Sequence, residues 1–490
     1  IEKCFSSLNA PMSGDERTGD ELKEEANQQF AAQKYKAAIE LYTLGLERNP
    51  TAPAVLYANR ALCHLRLENF GSAILDATSA IEVDPKYAKA YYRRASGNFG
   101  LGHYKTAARD FRQVVLLAPR DRNARLRYTE CQKEARRVAF EKAIAGEPQP
   151  PMSQRLNIDE MVIESDYKGL VLEFPLTLIQ VKEMMERFRR QEKIHVKNLY
   201  EILRATETHL RSQRPLVDVT IPENGAITVC GDTHGQYYDL LNIFEKAGLP
   251  SETHAMLFNG DFVDRGSFSA EVVISLFALQ CVFPNRMFLS RGNHETVNMN
   301  RVYGFFGEIK AKYGATAADF FTEVFQCLPL CHLIESKILV VHGGIFSQDG
   351  VKLSQIRAID RFREPPDEGL MTELLWSDPQ PMPGRAPSKR GVGVSFGPDV
   401  TKRFLEENEL SLLVRSHEVK DEGYEVTHDG KCITVFSAPN YCDSLGNKGA
   451  YITFRAGDSS LEPHFTTFKH VDHPKIPPMA YAGMMSSMMG

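Results

Sequence analysis

Hydrophobic and polar positions repeat themselves along the first third of the chain. Helical patterns close at Pro50, Pro85 and Pro119, at intervals of 35 and 34 residues. Small residues recur at matching places: Ala26, Ala61 and Ala95 in a first helix, then Ala38, Ala73 and Ala107 in a second. Phe30, Leu65 and Phe99 recur in the same way. Small residues where helices cross, with a closing proline at a period of ~34 residues, predict three stacked helix pairs. One pair cannot bury its apolar face alone, so the three form a short all-α solenoid with a concave groove. Arg120 to Ala145 reads as a long polar capping helix, which ends a repeat region at 19–145. Residues 1–18 are polar, contain Gly, Ser and Pro, and read as disordered.

The pattern then changes. Pro148, Pro150 and Pro151 exclude a helix and mark a linker over 146–160. Two amphipathic helices are expected before residue 215, with Val181, Met184, Met185 and Phe188 on the apolar side. After them come short apolar runs that end at glycines. Ala226–Cys230 leads into Gly231-Asp232-Thr233-His234-Gly235. Ala255–Phe258 leads into Gly260-Asp261-Phe262-Val263-Asp264-Arg265-Gly266. Arg286–Ser290 leads into Arg291-Gly292-Asn293-His294-Glu295. Lys337–Val341 leads likewise to His342, and Leu412–Ser416 to His417. Such runs read as buried strands. This region is bounded as 161–470. Pro474, Pro477 and Pro478 break the regularity of a tail over 471–490, whose Met-rich end either packs between the domains or frays.

Composition adds limits. The 490 residues, 43% hydrophobic and 25% charged, suit an ordinary globular protein of two or three domains. No apolar run reaches the ~18 residues of a membrane span. The first residues lack the basic and apolar regions of a signal peptide. Nine scattered cysteines without a CxxC pair fit a reducing compartment, hence cytoplasm and nucleus. Charge is uneven. Lys86 to Lys142 holds 15 Lys and Arg against 5 Asp and Glu, a balance of +10 in a chain of net −5, so the remainder carries −15. That asymmetry asks for an acidic partner, inside the chain or outside it.

GDTHG, GDFVDRG and RGNHE resemble the signature of the metallophosphoesterases, and more narrowly of the PPP family of serine/threonine protein phosphatases. Leu375-Trp376-Ser377-Asp378-Pro379, Arg415-Ser416-His417-Glu418 and Ser437-Ala438-Pro439-Asn440-Tyr441-Cys442 match the same family in the same order, over roughly residues 165–470. The resemblance implies an α/β domain with a central β-sandwich flanked by helices. It implies two divalent metal ions, with manganese, iron/zinc and magnesium all suited to O and N donors. Asp232 and His234 would hold one ion; Asn293, His342 and His417 the other; Asp261 would bridge. A water shared by two such ions approaches neutrality in pKa. Arg265 and Arg390 would grip the phosphate oxygens, with Asn293, Tyr441 and Arg291 as further pocket residues. His294 is the natural acid for the leaving oxygen, and Asp264 is placed to orient it. Ser290 and Phe306 depart from the commonest wording of the family and remove no ligand.

Repeats of ~34 residues are the signature of tetratricopeptide domains, and a tetratricopeptide solenoid ahead of a PPP domain resembles the family's type 5 branch. Lys23, Asn27, Asn59, Lys89 and Arg93, on the first helices of the repeats, resemble the carboxylate clamp that binds acidic C-terminal tails of heat-shock chaperones. The resemblance implies autoinhibition by the solenoid, relieved by such a tail or by a fatty acid. Charge attraction between the +10 segment and the remainder favours it. Glu68, in the turn of repeat two, is a candidate substrate mimic opposite Arg265. Two rivals remain: a non-catalytic chaperone-binding scaffold, and a metallophosphoesterase acting on diesters or nucleic acid. The complete set of motifs speaks for phosphoproteins as substrates and against nucleic acid.

Overall fold

The structure, a computed structural model, describes residues 17–144 and 150–482. The segments expected to be disordered before Arg17, and the Met-rich end after Ala482, lie outside the described residues. The chain divides near Gly146 into two compact units.

The first unit is helical: α1 (Gly19–Ala31), α2 (Tyr35–Glu47), α3 (Pro53–Arg66), α4 (Phe70–Val83), α5 (Ala88–Gly100), α6 (Tyr104–Leu117) and α7 (Arg122–Ile144). Thr18 opens it with a capping box: its hydroxyl accepts from the Glu21 N–H, and the Glu21 carboxylate accepts from the Thr18 N–H. The six recurrent alanines are all fully buried, which lets neighbouring helices approach closely. The turn inside each pair needs one left-handed residue. It is Gln33 (φ 60°), Glu68 (φ 58°) and Gly102 (φ 75°). Only the third uses the residue that adopts this backbone without strain.

A second repeating device is polar. The Arg60 guanidinium forks onto Asp76, at 2.8 and 2.6 Å, and its third nitrogen reaches the Thr43 hydroxyl at 2.8 Å. One repeat later Arg94 forks onto Asp110, at 2.8 and 2.9 Å, and reaches toward Thr78 at 3.5 Å. Each arginine thus ties three successive helices. Asp76→Ala leaves a largely buried guanidinium without its carboxylate. It is expected to destabilise the solenoid by about 2 to 3 kcal/mol, read as an earlier loss of helical circular dichroism on heating.

In the second unit, α8 (Met152–Arg155) already packs on the catalytic core. Met152 is buried there, and its N–H donates to Glu323 at 2.6 Å. Part of the expected linker is therefore anchored from Met152 onward. Then follow α9 (Leu178–Arg189), α10 (Val196–Ser212), β1 (Leu216–Val219), β2 (Ala226–Cys230), α11 (Tyr237–Ala247), β3 (His254–Phe258), α12 (Ser269–Val282) and β4 (Met287–Leu289). Next are α13 (Val297–Tyr303), α14 (Phe305–Tyr313), α15 (Ala315–Cys327), β5 (Cys331–Ile334), β6 (Ile338–Val341), α16 (Leu353–Arg357) and α17 (Leu370–Trp376). The rest comprises β7 (Asp378–Pro379), β8 (Arg385–Pro387), β9 (Val394–Phe396), α18 (Pro398–Glu407), β10 (Leu412–Arg415), β11 (Tyr424–Thr427), β12 (Cys432–Val435), β13 (Gly449–Arg455) and β14 (His464–Phe468).

Two sheets make a sandwich. One runs β1-β5-β6-β10-β12-β11, the other β14-β13-β2-β3-β4. Val229, Leu257 and Ile452 of one sheet meet Val340, Val414 and Val435 of the other in a single apolar core. Helices α9, α10, α12 and α15 cover the outer face of the five-stranded sheet; α17 and α18 pack on the outer face of the six-stranded one. Val181, Met184, Met185 and Phe188 of α9 are buried as their spacing predicts.

Two polar bridges cross the sandwich. Asn259, after β3, donates to the Val341 carbonyl at 2.8 Å and the Ser416 hydroxyl at 2.9 Å. Ser290, after β4, lies 3.0 Å from His332 Nδ1 on β5, and both are fully buried. Burial holds the His332 imidazole neutral, its pKa pushed down to about 3. The unusual serine therefore has a chemical partner in the facing sheet. Phe306, the other departure, lies 4.1 Å beneath the Arg301 guanidinium.

Candidate active site

Strands β2, β3 and β4 run parallel, and β10 runs parallel to β6. Their carboxyl ends deliver Asp232, Asp261, Asn293, His417 and His342 respectively. The turns there are tight. Gly260 has φ 86°, and a Cβ on it would stand 2.6 Å from the Gly292 backbone. A Cβ on Gly292 would stand 2.2 Å from Asp261 Oδ1. His234, Asp261, Asp264, Arg265 and His417 all have left-handed backbones, with φ from 42° to 72°. Each non-glycine residue so placed costs ~1 kcal/mol or more, and strain of this kind collects where function over-determines it.

Two donor groups share one carboxylate. His234, Asp261 and His294 bring one atom each within 4.8 Å of one another, and so do Asp261, His342 and His417. Asp261 Oδ2 lies 3.6 Å from His234 Nε2 and 3.3 Å from His342 Nε2. Asp232 Oδ2 lies 3.7 Å from His234 Nε2, and Asn293 Oδ1 lies 2.9 Å from His342 Nε2. Two ligands ~2.1 Å from one ion, at angles of roughly 85–125° to each other, stand about 2.8–3.7 Å apart, and these spacings span that range.

The proton positions support the same reading. His342 Nδ1 faces the Asn259 carbonyl at 2.8 Å, and His234 Nδ1 faces the Val263 carbonyl at 3.0 Å. A carbonyl can only accept, so both histidines carry hydrogen on Nδ1 and turn the Nε2 lone pair inward. Lone pairs of nitrogen, amide oxygen and carboxylate therefore converge on one space, an arrangement that a cation satisfies. Burial keeps the His234 imidazole neutral, far below its ordinary pKa, and lowers that of His342. Burial also pushes the Asp232 carboxyl up to about 7, against the pull of His342, with Asp261 adding like-charge repulsion. Divalent cations among these groups would hold the carboxylates ionised.

Beside the donors stands an acid pair. His294 Nδ1 lies 2.9 Å from Asp264 Oδ2, and the His294 N–H donates to Asp261 Oδ1 at 2.8 Å. Asp264 is completely buried, which pushes its carboxyl up to about 7. The Phe305 N–H and the Asn300 amide oppose that shift, at 2.9 and 3.1 Å. One ring nitrogen of His294 belongs to the first donor group, so the imidazole reaches the same space from the side.

Arg265 lies against the Tyr303 ring, 3.8 Å from guanidinium carbon to ring centre. The Tyr441 ring centre is 5.1 Å from that of His234. Arg390 lies on the loop between β8 and β9. Arg291 is a correction to the expected pocket. Its guanidinium is fully buried and donates to the Glu295 and Arg363 carbonyls and to Glu364, at 3.0, 2.8 and 3.0 Å, so it braces loops. Glu295 carries a role that its place in RGNHE only hints at. Its carboxylate accepts from the N–H groups of Asp261, Phe262 and Gly292, at 2.8, 2.9 and 2.8 Å, and locks two metal-side loops together.

In the solenoid, the expected clamp residues lie on α1, α3 and α5. Asn27 Oδ1 accepts from the Tyr42 hydroxyl at 2.6 Å and from the Asn59 amide at 3.3 Å, so the two asparagines adjoin. Lys23 lies 3.3 Å from Glu24 and 3.5 Å from Asp20. Arg93 packs on the Tyr92 ring, one helical turn beyond Lys89, and burial lowers its pKa.

Comparison with known proteins agrees with the geometry. The calcineurin-like phosphoesterase family matches residues 225–421, and a family described as the PPP5 TPR repeat region matches residues 128–218. Serine/threonine-protein phosphatase 5 of Homo sapiens is 52% identical over 477 residues, covering 97% of this chain and 95% of its own length. Serine/threonine-protein phosphatase T of Trypanosoma brucei brucei is 50% identical over 473 residues, covering 96% of this chain and 99% of its own. A solved protein serine/threonine phosphatase from Saccharomyces cerevisiae, described as similar to human PP5, is 43% identical with a TM-score of 0.59. It covers 61% of this chain and 99% of that one. No helix among the described residues is long and apolar enough to cross a membrane.

Proposed function

The chain belongs to the serine/threonine-protein phosphatase 5 family, and from that membership we propose how its residues divide the work of hydrolysing protein phosphoserine and phosphothreonine. The observation that carries the reading is a single carboxylate, Asp261, common to two donor groups, with the His294–Asp264 pair alongside. Asp232, His234 and Asp261 would hold one divalent ion; Asp261, Asn293, His342 and His417 would hold the other. Manganese is the ion that we favour over iron/zinc or magnesium. Two such ions, when bound, would supply Lewis acidity and lower the pKa of a water toward neutrality.

The remaining steps belong to the chain's own groups. Arg265 and Arg390 bind the non-bridging phosphoryl oxygens, assisted by Asn293 and Tyr441, and stabilise charge as the phosphoryl group transfers. His294 hands a proton to the departing serine or threonine oxygen, so that the alcohol leaves neutral. Asp264 keeps that imidazole in one tautomer and one orientation. A phosphoserine peptide supplied with manganese should be turned over, and a phosphodiester far more slowly. Absence of peptide turnover would favour the scaffold reading, and faster diester hydrolysis would favour the diester one.

Regulation is the second part of the proposal. The clamp of Lys23, Asn27, Asn59, Lys89 and Arg93 takes the acidic C-terminal tail of a heat-shock chaperone. The solenoid restrains a cytoplasmic and nuclear enzyme until that tail, or a fatty acid, engages it. Each charge-assisted bond contributes about 1.5–3 kcal/mol. Lys89→Ala and Arg93→Ala should therefore each weaken binding of an acidic tail peptide by at least about tenfold in a titration. Unchanged affinity in both would refute the clamp. Glu68 stands in the turn of repeat two with a left-handed backbone, at the place that the first repeat gives to Gln33 and the third to Gly102. Reversing its charge should raise basal activity, and unchanged activity would remove Glu68 from the account.

A further inference from the structure

From β14 to Ala482 the chain stays on the second unit. It runs as a strap past the rim of the active site. The Val471 N–H donates to Asp239 at 3.0 Å. The Ser267 hydroxyl donates to the Pro477 carbonyl at 2.6 Å and accepts from the Ala480 N–H at 3.1 Å. The Met479 N–H donates to the Arg265 carbonyl at 2.7 Å. The Met479 sulfur lies 3.7 Å from Arg265 Nη1. Ala482 is buried, and the Tyr481 carbonyl sits so close to Gly307 that a Cβ there would stand 2.2 Å from it. The tail expected over 471–490 is thus, as far as Ala482, part of the catalytic unit.

The contacts concentrate on one turn, Arg265-Gly266-Ser267. Arg265 (φ 70°) and Met479 (φ 57°) are both left-handed, and the bond from the Met479 N–H joins them. The Tyr303 ring faces the guanidinium, and the methionine sulfur takes one of its edge N–H groups. Sulfur is a weak, neutral acceptor. It can set the plane of an arginine without neutralising it, whereas a carboxylate at that place would occupy the fork that phosphate needs.

We propose that Met479 is a positioning residue for phosphate recognition, acting through Arg265, so that the C-terminal strap completes the active site. This rests on the reading that Arg265 binds the phosphoryl group. The test uses the full-length protein and inorganic phosphate, followed as a competitive inhibitor of aryl phosphate hydrolysis and by calorimetry. Met479→Ala should weaken phosphate binding about five- to tenfold and raise KM similarly, with a much smaller change in kcat. Met479→Leu keeps the bulk and loses the acceptor, and should fall between. Met479→Glu should weaken phosphate further than alanine does. In an Arg265→Ala background, Met479→Ala should add nothing, because two residues acting through one group do not add.

Undiminished phosphate affinity in folded Met479→Ala, or an equal loss with and without Arg265, would overturn the proposal. If Met479→Ala fails to fold, Met479→Leu decides: phosphate affinity equal to that of the unaltered protein overturns the proposal too. Should Arg265→Ala itself leave phosphate binding intact, the role of Arg265 falls, and the role of Met479 with it. That result differs from one in which Arg265 matters and Met479 does not.

Discussion

Replacing Asp261 with asparagine is expected to lower phosphopeptide turnover by about three orders of magnitude, equivalent to ~4 kcal/mol of transition-state stabilisation. The exchange is nearly isosteric. It keeps one oxygen and removes the charge and the second anionic donor. Both donor groups contain this carboxylate, and its Oδ2 lies 3.6 and 3.3 Å from the two inward-facing imidazole nitrogens. Its other oxygen accepts from the His294 N–H at 2.8 Å, which places the acid relative to the cations. Bound divalent ion should fall from two per chain to one or fewer. Thermal stability of the metal-free protein should not fall, because a buried charge with like-charged neighbours has been removed. Activity within tenfold of the unaltered protein would mean that the two groups do not share a bridging ligand.

Replacing His294 with asparagine is expected to lower kcat on a phosphoserine peptide by about 10²- to 10⁴-fold. The loss should depend on the leaving group. An alkoxide needs a proton as it departs, whereas the phenolate of an activated aryl phosphate leaves as a stable anion. The same variant should therefore lose much less activity on the aryl ester. Metal content should stay at two, since His294 is not among the six side chains assigned to the ions. An equal loss on both substrates would contradict the acid role and leave His294 as a group that only orders the loops.

The sequence showed these sites because every donor ends an apolar run. A strand end is a local feature, readable from hydrophobicity followed by Gly-Asp, Gly-Asn or His. The solenoid was readable for a similar reason: small residues must recur wherever helices cross. Glu295 was harder to place, since three backbone N–H groups from loops far apart in sequence meet its carboxylate only after folding. Arg60–Asp76 and Arg94–Asp110 recur with the repeat, but polar positions on helices ordinarily face water, so their pairing gave no apolar signal. Arg291 misled for the opposite reason. An arginine inside a phosphatase motif suggests phosphate, and only its buried bonds to carbonyls reveal a brace. Ser290 stood out as a departure, yet its partner His332 lies on the facing sheet. Met479 had no local signal at all beyond a methionine in a proline-broken tail.

The central claim is that six side chains from five strand ends seat two cations. The direct measurement is the number of manganese ions bound per chain in the metal-stripped full-length protein, titrated while phosphoserine-peptide turnover is followed. Two equivalents, with turnover rising as the second site fills, is the result expected. A single equivalent at full activity, or turnover that persists in excess chelator with no metal bound, would contradict it.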